Sequence, residues 1–210
     1  MTTELVLLGT AAAPMPVAGR AGISSALVAD ERVFVVDCGR GSPSSFVEAG
    51  LDFTRLEAVF LTHFHVDHVG DLPGMLLYPW GIREDADGPL PPVSVYGPSR
   101  PETGPEGDEA FHRVTMVHPE LPFPGTADLV AAILGAYAYH LNVMPLDWHM
   151  PDPGALVRAM DIAIPTGTQP TWEIPIDVFQ DGAVHVTAVP VAHLIVCSPV
   201  PDERSAAPER

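Results

Sequence analysis

The stretch Leu56-Glu57-Ala58-Val59-Phe60-Leu61 runs without a turn signal into Thr62-His63-Phe64-His65-Val66-Asp67-His68. Its apolar first half reads as a buried strand, and residues 71–77 behind it read as a helix with Asp71 as its cap. The histidine cluster therefore occupies a strand-to-helix loop. His63 and His65 are two apart on a chain leaving a strand, so an extended backbone turns both imidazoles to one side. Asp67 and His68 follow where the chain bends into the helix. A borderline-soft divalent cation such as zinc accepts imidazole nitrogen and carboxylate oxygen, and four such donors within six residues supply parts of two adjacent sites.

Working outward, residues 5–8 and 33–36 are short Val- and Leu-rich runs closed by Gly or Asp, the pattern of buried strands ending in turns, which puts Asp37 at a strand end. Ser42-Pro43, the stretch to Ala49 and then Gly50 have the N-cap, first-turn proline and terminal glycine of a small helix. Residues 93–96 read as a further strand and residues 100–108 as an exposed loop without chemistry. Over residues 127–141, Val130, Ile133, Leu134, Tyr137 and Leu141 share one helical face, with Thr126 available as N-cap. The segment 126–160 reads as core, with a lid over a cleft as the alternative. Residues 172–179 and 183–191 flank Asp181-Gly182, a hairpin turn pair, and the second arm leads to His193.

Composition bounds the rest. A chain of 210 residues that is 47% hydrophobic and 18% charged, with 24 Pro and 18 Gly, suits one loop-rich globular domain. Ten Lys+Arg against 27 Asp+Glu give a formal charge of -17, which disfavours nucleic acid as a partner without excluding it. Cys38 and Cys197 lack CxxC spacing, so neither a disulfide framework nor a cysteine zinc knuckle is expected, and Cys38 reads as a small buried hydrophobe. With no signal-peptide pattern and no apolar run near the roughly 20 residues that a bilayer demands, a cytoplasmic protein without a membrane partner is expected.

The motif His63-Phe64-His65-Val66-Asp67-His68 resembles the HxHxDH signature of the metallo-β-lactamase superfamily. Leu8-Gly9-Thr10, Asp37-Cys38-Gly39-Arg40-Gly41 and Val189-Pro190-Val191-Ala192-His193 resemble successive landmarks of the same family in the same order, most like ribonuclease Z and its arylsulfatase-like relatives. The resemblance implies an α/β fold of the αββα sandwich type. It implies that His63, His65 and His193 hold a first zinc, and that Asp67 and His68 hold a second, with Asp67 also handling a proton. Asp37 would stand behind them and orient the histidine loop. The implied reaction is attack of a metal-activated water on a phosphodiester or sulfate ester, a small-molecule or ester substrate, with the two ions about 3.5–4 Å apart. A lactonase or thioesterase of the same fold is the first alternative.

In the family pattern a bridging aspartate and a final histidine lie well beyond the last of these landmarks. Here 17 residues follow His193, and they contain Asp202 but no histidine. The expectation is thus the N-terminal part of the fold, incomplete at its C-terminus. Residues 1–195 would form the domain, with a helical insertion at about 105–160, and residues 196–210 a disordered or non-native tail. One zinc is expected rather than two, and the second alternative is an inactive metal-binding remnant or a subunit completed by another chain. A homo-oligomer is open. His112, His118, His140, His149 and His185 lack ligand spacing and receive no role.

Overall fold

Alternation of side chains along six strands sets the architecture in the computed structural model, which describes residues 3–12, 15–85, 88–101, 115–148, 150–163, 175–182 and 184–191. The chain divides into two compact units, Met1–Ser99 with Gly125–Ile162, and Arg100–Pro124 with Ala163–Arg210.

In the first unit, β1 (Thr3–Gly9), β2 (Ser24–Ala29) and β3 (Arg32–Val36) form an antiparallel meander. Beyond β3 the sheet turns parallel through β4 (Leu56–Phe60), β7 (Val93–Pro98) and β8 (Val157–Ile162), giving the order β1-β2-β3-β4-β7-β8. Two residues each make β5 (Glu84–Asp85) and β6 (Gly88–Pro89), which pair with each other. Parallel neighbours require crossovers, and these are α1 (Ser42–Glu48), the short α2 (Val66–Val69) and α3 (Leu72–Leu77), and the pair α4 (Thr126–Ala136) and α5 (Ala138–Trp148).

One sheet face presents Val33, Val35, Val59, Val93 and Val95, all buried together with Phe46 of α1, Leu72, Met75 and Leu76 of α3, and Val130 and Ile133 of α4. The period-2 pleat puts Phe34, Phe60 and Tyr96 on the other face, where Phe60 stacks between Phe34 at 6.5 Å and Tyr96 at 5.2 Å. Arg83 is buried, and among the described residues the partners its guanidinium meets are backbone carbonyls. Its Nη1 donates to the carbonyls of Phe53 (2.6 Å) and Leu56 (2.9 Å) and its Nη2 to that of Pro91 (2.9 Å), and burial draws its pKa down.

Three expectations need correcting. Residues 5–8 do form a strand, but β1 is the sheet's edge, so Leu5 and Leu7 stay 67% and 64% exposed and only Leu8 is buried. The single helix expected over residues 127–141 is two helices bent by 60° at Tyr137. The bend keeps Val130, Ile133 and Leu141 in core clusters and turns Tyr137 out to 45% exposure. Thr126 does not cap α4: Gly125 is the N-cap, its N–H is accepted by Asp128, the Asp161 carboxylate accepts from Ala127 N, and the buried Thr126 hydroxyl donates to Pro98 O. Among the described residues no single helix is long and apolar enough to cross a membrane.

The stretch 105–160 contributes α4, α5 and β8 to the first unit. In the second unit, β9 (Ile176–Asp181) and β10 (Val184–Ala188) pair antiparallel across Gly182, which holds φ at 55°. Residues 102–114, 164–174 and the tail 196–210 lie outside the described residues.

Candidate metal centre

The histidine loop is fastened to the end of β3 before any histidine is considered. Leu61 N donates to Tyr96 O (2.7 Å), and Thr62 N donates to Asp37 Oδ1 (2.8 Å), so the chain leaving β4 is gripped from β7 and from the β3 end. Cys38 N donates to His68 O (2.6 Å) and Asp71 N to Cys38 O (2.9 Å), which ties the far side of the loop to the same turn. This contact needs a glycine: a Cβ on Gly39 would lie 2.4 Å from Asp67 O and 2.6 Å from Ile23 N. Asp37 itself sits in the left-handed region at φ 60°, a conformation that Asp tolerates better than most residues.

Within the loop, His63 Nε2 faces His65 Nδ1 at 3.0 Å, with the rings edge to face. His65 is also the N-cap of α2, its carbonyl accepting from His68 N (2.9 Å) and Val69 N (3.2 Å), so the first turn of α2 places Asp67 and His68. His68 Nε2 lies 3.7 Å from Asp67 Oδ2, and its other nitrogen, Nδ1, lies 2.7 Å from Asp37 Oδ2. Asp37 is 2% exposed, and its oxygens also accept from the Thr62 hydroxyl, which stands 3.0 Å from His63 Nδ1. One buried carboxylate and one hydroxyl thus contact a ring nitrogen on two of the three histidines. That orients the rings and fixes which nitrogen each presents.

The donors therefore come as two pairs, His63 with His65 and Asp67 with His68. Two nitrogens on one tetrahedral zinc at about 2.0–2.1 Å stand roughly 3.3 Å apart, so the first pair needs to open by only a few tenths of an ångström. Among the described residues no three His, Cys, Asp or Glu side chains converge as a metal-holding group. His193, the third imidazole of the resemblance, lies outside the described residues, as do His112 and His149. His118 pairs with Glu120, His185 with Asp177, and the His140 ring packs edge-on against Trp80. Cys38 is fully buried, and desolvation, with the nearby Asp37 and Asp71 charges, pushes its thiol far above the usual range, so it carries no nucleophile.

Two contacts escaped the sequence reading. Thr62 had no role there, although a β-branched hydroxyl at a strand end beside a buried carboxylate is a signal of its own. Asp71 stands at the expected cap position of α3 but makes no side-chain cap; its carboxylate accepts from Gly41 N instead and closes the turn around Gly39.

The family model described as anti-Pycsar protein Apyc1 matches residues 3–80. The ribonuclease Z of Mycolicibacterium paratuberculosis is 36% identical over 139 residues, covering 66% of this chain and 40% of that protein. That of Mycolicibacterium gilvum is 33% identical over 139 residues, covering 66% and 39%. The short form of human tRNase Z superposes with a TM-score of 0.45 at 21% identity, over 79% of this chain and 46% of that one. Over the matched stretch the chain is similar to ribonuclease Z, in keeping with the resemblance of its histidine motif, and it spans about two fifths of the length of these curated relatives.

Proposed function

We propose that the chain is a metal-dependent phosphodiester hydrolase whose ion, zinc by donor chemistry, is held by His63 and His65 together with His193, with Asp67 and His68 forming a second, weaker position. The observation that carries this is the His63–His65 nitrogen pair at 3.0 Å in a loop whose partner His68 is braced by a buried carboxylate. The chemistry that such an ion would supply, held by His63 and His65, is a water made nucleophilic near neutral pH and a polarised ester oxygen. The chain's own residues do the rest. Asp37 and Thr62 hold the rings in place. Asp67, at the first turn of α2, accepts the proton that the nucleophile sheds.

Phosphodiesters rank ahead of sulfate esters because the relatives matched over 139 residues are named ribonucleases. A long RNA is a poor fit: all ten basic side chains are arginine, set against 27 carboxylates, and each phosphate gripped needs a positive charge. A small diester suits this surface better.

The test is zinc content of the purified chain, together with hydrolysis of bis(4-nitrophenyl) phosphate and of 4-nitrophenyl sulfate, with and without a chelator. At least one zinc per chain, chelator-sensitive turnover of the diester, and loss of both in His63→Ala/His65→Ala are expected. Zinc binding without turnover would instead favour a metal-binding protein that does not catalyse. Failure to bind any divalent ion sinks the proposal.

A further inference from the structure

Beside Asp67 the first unit has an open cleft of about 240 Å³, walled by Ala11, Met15, Arg40, Val66, Asp67 and Asp71. Its apolar walls are unusually bare: Met15 is 75% exposed and Val66 62%. Burying them on folding was not what selected their positions, since neither meets the core.

Among the described residues, Arg40 is the basic side chain of the cleft's wall. Its Nη2 donates to the carbonyls of Val17 (3.1 Å) and Arg20 (2.6 Å), which fixes the end of the side chain. Arg20 in turn donates to the carbonyl and hydroxyl of Thr10 at 3.0 and 2.8 Å. Among the described residues neither guanidinium has a carboxylate at ion-pair distance, in a protein with 27 acidic residues to ten arginines. Two other arginines do meet carboxylates, Arg32 with Glu57 at 3.2 Å and Arg55 with Glu31 at 2.9 Å, while the buried Arg83 is held by backbone carbonyls. Arg40 thus sets a fixed cationic donor into a wall that also carries Asp67 and Asp71.

We propose that Arg40 is a specificity-determining residue, its guanidinium taking a negatively charged, non-reacting group of an ester substrate whose apolar part lies on Met15 and Val66. This rests on the hydrolase reading given above. The guanidinium is planar and pinned by one nitrogen, so its remaining N–H edge is presented with little ordering cost to an oxyanion such as a carboxylate or a phosphate. Of the cleft's two carboxylates, Asp71 accepts from Gly41 N and Asp67 stands 3.7 Å from His68 Nε2. The substrate class that follows is a compact ester with a second anionic group, of a size for this cleft and not a long polymer.

The experiment has two arms. In the first, zinc-loaded chain is assayed on 4-nitrophenyl phenylphosphonate and on the same ester with a carboxylate on its phenyl ring. Wild type should prefer the charged ester. Arg40→Gln should raise its KM roughly tenfold or more and bring the preference ratio toward one, Arg40→Lys should recover part of it, and the remote Arg55→Gln should leave the ratio as it is. In the second, the arginine Nε–Hε resonances of metal-free and zinc-loaded chain are followed during titration with phenylphosphonate and with benzoate, the Arg40 signal being assigned by its loss in Arg40→Gln. A saturable shift of that signal with either probe is expected, and the two probes separate phosphate from carboxylate recognition. An Arg40 signal unmoved by both probes overturns the proposal, and so does an Arg40→Gln variant that loses turnover equally on both esters, because Arg40 then only braces the Val17–Arg20 loop. A chain that binds no metal and turns over neither ester defeats the hydrolase reading, while the resonance titration still decides on Arg40.

Discussion

Asp37 Oδ2 stands 2.7 Å from His68 Nδ1, and the other oxygen of the same carboxylate accepts from the backbone N–H of Thr62, so one buried group spans the two ends of the histidine loop. Two properties of Asp37 are separable by substitution. Asn keeps an acceptor for Thr62 and tolerates the φ of 60°, but loses the charge. Ala loses both acceptors and is strained at that φ. Asp37→Asn is expected to cost about 1–2 kcal/mol of stability and Asp37→Ala about 3–5 kcal/mol, with zinc affinity falling tenfold or more in each. Urea unfolding and competitive zinc titration measure the two effects. Equal stability losses in the two variants would show that the left-handed backbone contributes nothing.

Much of this loop was legible from residue order. The apolar run at 56–61 ending in a cluster of histidines gave both the strand and the turn, because a buried parallel strand and a set of metal donors each leave a local signature. What was not legible depends on contacts remote in sequence. The helix over 127–141 kept its periodicity on paper, but Leu141 and Val130 belong to different clusters of the folded core, and only a bend at Tyr137 serves both. Thr126 had the right type for a cap, yet Pro98 O, 28 residues away, captures its hydroxyl. Arg83 gave no signal at all, since nothing near it in sequence announces three carbonyls waiting for a guanidinium.

Gly39 tests how closely the β3 turn and the histidine loop must approach. A methyl there would meet Asp67 O at 2.4 Å and the backbone of Gly22 and Ile23 at 2.7 and 2.6 Å, all main-chain atoms that cannot rotate away. Gly39→Ala should therefore cost about 2 kcal/mol or more and move the Asp67 amide resonance. Gly50→Ala is the comparison: its Cβ meets nothing, so only the φ of 75° is penalised, and the Asp67 signal should stay in place.

Arg83 holds the carbonyls of Phe53, Leu56 and Pro91 from within the first unit, and its removal leaves buried acceptors unpaired. Arg83→Met, which preserves much of the volume, should cost about 2–4 kcal/mol by chemical denaturation. Lys cannot reproduce the planar fork that reaches all three, so Arg83→Lys should recover less than half of that loss. Full recovery by Lys would mean that the charge, not the geometry, holds these loops.

Asp52 gives the pH dependence its sign. Its carboxylate accepts from Thr54 N at 2.8 Å at the start of the 3-10 turn Phe53–Arg55, and that backbone hydrogen bond, helped by Arg55, holds its pKa below the usual value. A lowered folded-state pKa means that the contribution is present above the unfolded value, about 3.9, and is lost as pH falls through the folded value below it. The group is exposed, so the effect is that of a surface cap: Asp52→Ala should destabilise by about 0.5–1 kcal/mol at neutral pH. The gap between wild type and Asp52→Ala should close as pH drops below about 4, whereas the gap to Asp52→Asn, which accepts without titrating, should change in Asn's favour over the same window. Denaturation midpoints measured from pH 7 to pH 3 decide it, and a wild-type advantage that grows toward low pH would refute the assignment.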